Sequence, residues 1–106
     1  MRLFDFFKQV DIDQGVKAYT ATPGAVLLDV RTAEEYRVGH IPGSKNVPLQ
    51  TIDKVASVVE NKDTALYVYC QSGARSRQAA SILRGMGYTN VNNISGIAAY
   101  SGKVAR

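Results

Sequence analysis

The chain has 106 residues, enough for one domain with its own hydrophobic core and too few for two. Hydrophobic residues make up 45% of it and charged residues 21%, a composition that excludes an extended disordered chain. The net charge of +4 comes from basic residues spread along the chain without an aromatic-basic recognition motif, and no segment approaches the roughly 20 apolar residues of a membrane-spanning helix. We therefore predict a single domain over residues 1–106, with neither a nucleic acid nor a membrane as partner.

The only cysteine is Cys70, so the chain cannot close a disulfide within itself, and its fold does not require an oxidising compartment. Residues 1–10 contain an apolar cluster, but Asp5 and Lys8 interrupt it and no small-residue cleavage site follows. These features do not indicate a secretory signal. We expect a cytoplasmic protein.

Three apolar runs bounded by turn residues predict β-strands, at residues 26–28, 65–69 and 91–94. Helical patterns lie between the first two runs and between the last two. This alternation is typical of an α/β fold in which parallel strands are joined by helices.

The helical pattern after the first strand carries start and stop signals. Thr32 is placed to cap a helix, with Glu35 three residues later as in a capping box, and Gly39 is expected to end it. Residues 41–44 read Ile-Pro-Gly-Ser, which predicts a tight turn, and a short extended piece follows at 46–48.

Two further helical patterns follow in the sequence. Apolar residues recur near helical spacing from Thr51 to Val59, until Asn61 stops the pattern. A second apolar stripe runs through residues 79–86 and is expected to end near Gly85. The first of these helices is predicted to pack on the sheet.

The segment after the second apolar run places Cys70 between a buried strand and a helix, at the edge of the sheet where open α/β folds bind ligands. Backbone N–H groups of such a loop can converge on the sulfur, and Gly73 lets the chain turn without a Cβ clash. Ser72 and Ser76 add hydroxyl donors, and Arg75 offers a planar fork for an anion. The helix N-terminus and Arg75 are expected to lower the pKa of the thiol below its usual value of about 8.5. The loop favours thiolate attack on an anionic substrate; the alternative is a small, buried, unreactive cysteine.

Four motifs, in order along most of the chain, identify the sequence as similar to the rhodanese family. They are Leu28-Asp29-Val30-Arg31 with Glu34-Glu35-Tyr36, Gly39-His40-Ile41-Pro42-Gly43-Ser44 with Asn46 and Pro48, the loop from Cys70 to Ser76, and Ile94-Ser95-Gly96-Ile97. The loop alone is moderately specific, whereas the set of four is highly specific.

The resemblance implies a rhodanese-like α/β fold, in which a parallel sheet of about five strands is flanked by helices on both faces. It also implies a sulfurtransferase that needs neither a metal nor an organic cofactor. The thiolate of Cys70 would take sulfane sulfur from a small anionic donor such as thiosulfate and release sulfite. The persulfide would then pass its outer sulfur to cyanide or to a thiol, either free or on an acceptor protein.

The resemblance also assigns roles to individual residues. Cys70 is the nucleophile and persulfide carrier. The substrate-binding residues that it implies are Gln71, Ser72, Gly73, Ala74, Arg75 and Arg31. The backbone amides of residues 71–75 would form a cradle, and the side chain of Arg75 would contact the substrate anion. For Arg31 a second interpretation stays open, a structural pairing with an acidic residue. Asp29 is expected to be structural, and His40 is expected to serve the turn or the packing.

The C-terminal motif departs from the family pattern of two glycines followed by a tryptophan. Ser95 stands at the first glycine and Tyr100 at the tryptophan. A serine costs little if that site has an ordinary φ, and a tyrosine can replace an aromatic packing partner.

Two rival functions are weighed against sulfur transfer. Cysteine phosphatases, and with them arsenate reductases, use a Cys-x5-Arg loop, but here the arginines fall at Arg75 and Arg77 while Ser76 occupies the required position. The other rival is a non-enzymatic module that carries a persulfide, senses redox state or binds a partner through Cys70. The physiological donor, the acceptor and the oligomeric state stay open at this point.

Overall fold

The computed structural model describes residues 11–106, so the N-terminal apolar cluster considered above lies outside the described residues. The strands are β1 (Val26–Asp29), β2 (Lys45–Asn46), β3 (Leu66–Cys70) and β4 (Val91–Gly96). The α-helices are α1 (Ile12–Ala21), α2 (Ala33–Val38), α3 (Val55–Val58) and α4 (Ala74–Gly85), and 3-10 helices lie at Leu49–Lys54 and Ile97–Ala99. Across this part of the chain no helix is both long and apolar enough to cross a membrane.

The strands form a parallel sheet in the order β2-β1-β3-β4. The described residues thus supply four strands where the family resemblance implies about five. Because parallel strands end at the same edge of a sheet, the last residues of β1, β3 and β4 lie side by side. That edge holds Asp29, Cys70 and Gly96.

Helices cover both faces of this sheet, as predicted, because successive strand residues point to opposite sides. On one face Leu28 packs in a cluster with Leu83 of α4. On the other face Leu27 packs in a cluster with Ile12 of α1. All four side chains are buried, so β1 contributes to both apolar layers.

Helix α1 was not among the predicted elements, although its sequence carries a start signal. The side chain of Asp11 caps it by accepting a hydrogen bond from Asp13 N at 3.0 Å. Ile12 and Gly15 are its buried residues. A Cβ atom at Gly15 would overlap the side chain of Ile94, so glycine lets the helix lie directly on β4.

The predicted signals around α2 are confirmed. Glu35 N donates to Thr32 Oγ1 at 3.2 Å, and Thr32 N donates to Glu35 Oε1 at 3.0 Å, which completes the capping box. The helix ends before Gly39, as predicted. The turn that follows is closed by Ser44 N donating to Ile41 O at 3.1 Å.

The helix predicted from Thr51 differs from the observed structure. The chain begins a 3-10 helix two residues earlier, at Leu49, and Thr51 itself has a non-helical φ of −125°. Only Val55–Val58 is α-helical. The segment is rich in β-branched residues, which lower helix propensity, and neither piece has a side-chain cap. Its apolar residues nevertheless pack on the sheet, because Ile52 and Val55 belong to the buried core.

Candidate active site

Cys70 is the last residue of β3, and the chain turns back over it before α4 begins at Ala74. The turn depends on Gly73, which has a φ of +107°, in the left-handed region that favours glycine. Cys70 is 1% exposed, whereas Gln71 and Ser72 beside it are exposed. The sulfur therefore lies at the bottom of a loop whose rim faces solvent.

Polar groups of the loop contact the Cys70 sulfur. Gly73 N donates to Sγ at 3.0 Å, and Ser76 Oγ lies 3.6 Å from Sγ. Burial raises the pKa of the thiol, but the hydroxyl of Ser76 and the amides of Ser76, Gly73 and Ser72 outweigh it, so the pKa is lowered from its ordinary value. The direction agrees with the expectation from the sequence, and a lowered pKa increases the fraction of nucleophilic thiolate.

Ser76 connects the loop to β4. Its hydroxyl lies 2.7 Å from Asn93 Oδ1, 3.0 Å from Gly73 O and 3.3 Å from Ser95 O. The predicted site residues did not include Asn93. A signal for it exists in the sequence, since Asn93 is a polar residue near the carboxyl end of a predicted parallel strand.

Arg75 lies in the first turn of α4 and points its guanidinium at α2. Arg75 Nη1 donates to Glu35 Oε1 at 2.7 Å, and Nη2 donates to Glu35 Oε2 at 2.9 Å. The Arg75 bond lowers the pKa of Glu35 to about 2, against the opposing effect of burial, and the same pair raises the pKa of Arg75. The guanidinium is thus occupied by a carboxylate of the protein, and the substrate contact inferred from the sequence stays a prediction.

Arg31 is buried directly after β1 and pairs with Asp29, the structural partner that one of its two interpretations expected. Its Nη2 lies 2.7 Å from Asp29 Oδ2 and also donates to Gly39 O at 2.7 Å. Burial lowers the pKa of Arg31, but the Asp29 bonds prevail and raise it. Arg31 Nη1 reaches Gln71 Oε1 at 3.4 Å, so this ion pair also supports the cysteine loop.

The comparison with known protein families agrees with this geometry. The rhodanese-like domain family matches residues 13–101. The chain belongs to that family.

Individual relatives of this rhodanese-like domain are named sulfurtransferases. Thiosulfate sulfurtransferase PspE of Escherichia coli strain K12 is 41% identical over 71 residues, which cover 66% of this chain and 68% of PspE. A sulfurtransferase of Allochromatium vinosum is 34% identical over 88 residues, covering 83% of this chain and 81% of that protein. Other relatives are longer: the match spans 48% of YrkF of Bacillus subtilis. The relatives support a sulfurtransferase activity in general terms.

A solved structure gives the same fold. The structure of a rhodanese with anions from E. coli is 35% identical and has a TM-score of 0.73, covering 77% of this chain and 98% of that one. The predicted rhodanese-like α/β fold is therefore confirmed.

The departures of this rhodanese-like domain from the C-terminal family motif have different consequences. Ser95 has a φ of +80°, in the left-handed region. The expectation that a serine costs little at this site required an ordinary φ, and that condition is not met. Tyr100 is partly buried against the apolar cluster that contains Ile94, as expected of an aromatic replacement. Gly96 has no room for a side chain, because a Cβ there would overlap Gln71 O. The motif thus supports the cysteine loop from beneath.

His40 has the packing role expected for it. Its ring stacks on Tyr36 with a centroid distance of 3.7 Å and an interplanar angle of 6°. Its Nδ1 lies 2.8 Å from Tyr36 O, and its backbone pairs with Ala105. These contacts fix the chain between α2 and the turn at residues 41–44.

An open cavity of about 510 Å³ lies beside the outer face of the loop. Gln71 and Ser72 line it on one side, and Asp11 and Asp13 at the start of α1 line it on another. No cluster of three or more metal-ligating side chains occurs within residues 11–106. The cavity thus borders the rim of the loop at Gln71 and Ser72.

Proposed function

We propose that this rhodanese-like domain transfers sulfane sulfur from a small anionic donor such as thiosulfate to cyanide or a thiol, and carries it as a persulfide on Cys70. The observation that carries the proposal is the position of the sulfur. It is buried beneath a loop of inward-facing amides, with Gly73 N donating to it at 3.0 Å. Such a site stabilises a sulfur anion and keeps water away from it.

The first step forms one sulfur–sulfur bond and breaks another. The Cys70 thiolate attacks the outer sulfur of thiosulfate, and the bond between the two thiosulfate sulfurs breaks with its electron pair leaving on sulfite. Neither an external oxidant nor a reductant is consumed. The persulfide that forms can exist as an anion, to which the amides of Ser72 and Gly73 are suited as donors.

The second step regenerates the thiolate. The carbon of cyanide, or a thiolate acceptor, attacks the outer sulfur, and the persulfide bond breaks with its electron pair returning to Cys70 Sγ. Cyanide leaves as thiocyanate, and a thiol acceptor leaves as a persulfide. The acceptor approaches from the solvent-facing rim at Gln71 and Ser72, which also lines the open cavity.

The test follows the sulfur by intact mass. We expect the reduced protein to gain about 32 Da after thiosulfate and to lose it to cyanide with formation of an equal amount of thiocyanate. Cys70→Ser, with an unchanged circular dichroism spectrum, should neither gain the mass nor form thiocyanate. Turnover by Cys70→Ser would refute the persulfide mechanism. A wild-type protein that takes no sulfur would redirect the assignment to the redox-sensing or partner-binding module.

Phosphatase or arsenate reductase activity is not proposed, because of what occupies the sixth position after the cysteine. That position holds Ser76, which is fully buried and bonded to Asn93 and Gly73. Of the two arginines that flank it, Arg75 is paired with Glu35 and Arg77 is exposed on α4. A phosphate oxyanion would lack the forked donor that the phosphatase loop supplies.

A further inference from the structure

The hydroxyl of Ser76 has one hydrogen and several groups that can accept it. Asn93 Oδ1 is the shortest of its oxygen contacts at 2.7 Å, followed by Gly73 O at 3.0 Å and Ser95 O at 3.3 Å. The Cys70 sulfur lies 3.6 Å from the same oxygen. Because Ser76 is fully buried, bulk solvent does not reach its hydroxyl, and these neighbouring groups determine where the hydrogen points.

An irregularity in the sheet brings Asn93 to this hydroxyl. The β3–β4 register runs from Val68 opposite Asn93 to Cys70 opposite Gly96, so β4 contains one extra residue at this point. Asn93 Oδ1 also accepts a hydrogen bond from Ser95 N at 3.1 Å. The bulge therefore fixes the Asn93 side chain against the cysteine loop.

We propose that Asn93 is a positioning residue for the Cys70 nucleophile, because its side-chain oxygen competes with the sulfur for the single hydrogen of the Ser76 hydroxyl. The inference deepens the sulfur transfer proposed above and rests on Cys70 being the nucleophile of that reaction. Asn93 acts only through Ser76 and touches neither the sulfur donor nor the acceptor.

The competition gives the Ser76 hydroxyl two orientations. In the thiol state Cys70 S–H donates to Ser76 Oγ, and the Ser76 hydroxyl donates to Asn93 Oδ1. When the thiol proton has passed to solvent, the hydroxyl turns and donates to the sulfur anion. Asn93 Oδ1 then still holds the hydrogen bond from Ser95 N, so no buried acceptor is left without a partner.

Charged groups approach the loop from three elements. Arg75 comes from α4 and is paired with Glu35 of α2, and Arg31 follows β1 and is paired with Asp29. The variants used below leave both ion pairs in place. Any change in the ionisation of Cys70 in these variants therefore originates at Ser76 and Asn93.

The test measures the rate of Cys70 alkylation by iodoacetamide as a function of pH, since only the thiolate reacts. Asn93→Ala removes the shortest of the competing acceptor contacts, and we expect alkylation roughly three- to tenfold faster at a pH below the midpoint of the profile. Asn93→Asp keeps an oxygen that accepts from both the Ser76 hydroxyl and Ser95 N. Because a carboxylate binds the Ser76 hydrogen more strongly than an amide oxygen does, alkylation should be slower by a similar factor. A purely structural role would move both variants in the same direction.

Each substitution is repeated in the Ser76→Ala background, where the hydroxyl is absent. Asn93→Ala should then have no effect on the profile, and the effect of Asn93→Asp should shrink to its direct charge effect. Asn92→Ala is the matched control, because Asn92 bonds to Leu66 O and Asn90 Oδ1 instead of Ser76 and should leave the profile unchanged. If Asn93→Ala does not fold, the alkylation profiles of Asn93→Asp with Ser76 and with Ser76→Ala decide whether Asn93 acts through the hydroxyl.

Shifts of equal size with and without Ser76, or shifts of the same sign in both Asn93 variants, would overturn the role of Asn93. Alkylation involves neither thiosulfate nor an acceptor, so this result stands apart from the assay of sulfur transfer. A protein with the expected profiles that formed no persulfide would refute the proposed function and leave the hydroxyl competition intact.

Discussion

Glu35 holds Arg75 in a two-point ion pair, with both guanidinium Nη atoms within 2.9 Å of separate carboxylate oxygens. The same carboxylate caps α2 through Thr32 N at 3.0 Å. The first turn of α4, which forms the cradle for Cys70, is therefore attached to the first turn of α2. Glu35 also places a compensating negative charge beside the arginine expected to attract the anionic donor.

Substitution of each partner of this ion pair should change the KM for thiosulfate, and the two changes should be opposite in direction. Arg75→Ala leaves the Glu35 carboxylate unpaired near the loop, and should raise the KM for thiosulfate by roughly three- to tenfold. Glu35→Gln frees the guanidinium and should lower that KM. Thiocyanate formation at varied thiosulfate concentration measures both. Arg77→Ala, an exposed arginine on the same helix, is the control for net charge. Equal KM values in all four proteins would exclude an electrostatic role for Arg75.

Acid should remove the stabilisation that the ion pair provides. The folded-state pKa of Glu35 is about 2, below its ordinary 4.5, so the stabilisation is present above pH 4.5 and is lost as the pH falls toward 2. With the Glu35 side chain 32% exposed, solvent screening limits the effect to about 1 kcal/mol. Urea unfolding of wild type and Glu35→Gln should show this difference near neutral pH and none near pH 2. A constant difference across that window would contradict the assignment, since glutamine retains the capping box.

A methyl group at Gly96 should displace the cysteine loop. The added Cβ would overlap Gln71 O and lie 2.6 Å from Gln71 C and 2.7 Å from Ser72 Cα. We expect Gly96→Ala to lower the free energy of unfolding by about 1–3 kcal/mol and to reduce thiocyanate formation in the protein that remains folded.

Gly85→Ala is the matched control for this substitution, because nothing lies within 4 Å of a Cβ at the end of α4. It should be neutral or stabilising by up to about 1 kcal/mol. Similar losses in both variants would show that the contact between Gly96 and Gln71 does not support the loop.

The backbone at Ser95 should prefer glycine. Its φ of +80° lies in the left-handed region, where a side chain costs about 1 kcal/mol or more. Ser95→Ala removes the hydroxyl but keeps the Cβ, so the comparison of Ser95→Gly with Ser95→Ala isolates the strain. We expect the glycine variant to be more stable than the alanine variant by about 1 kcal/mol in urea unfolding. Equal stability would mean that the backbone relaxes at this residue.

Local signals in the sequence were sufficient for features that depend on neighbouring residues. The capping box of Thr32 and Glu35 and the position of Cys70 between strand and helix follow from side-chain chemistry and hydrophobic spacing. The prediction of a helix from Thr51 was wrong, because the β-branched residues there have the apolar spacing of a helix but a low helix propensity.

Contacts between distant segments could not be predicted in the same way. Arg75 meets Glu35 across 40 residues, and Ser76 meets Asn93 across 17. The order of the strands indicates that these segments share an edge of the sheet, but the partner of each side chain depends on rotamers and on the bulge in β4. The positive φ of Ser95 arises in this bulge, which the pattern of apolar residues does not report.

The burial of Cys70 limits what its sulfur can join. A disulfide requires two sulfur atoms about 2 Å apart, and in each of two molecules the 1% exposed sulfur would lie beneath its own loop. Two folded copies cannot bring their sulfurs that close unless a loop opens, whereas the small anionic donor proposed above needs to insert only its terminal sulfur. The same amides that favour the thiolate thus also protect an unpaired cysteine from covalent dimerisation in air.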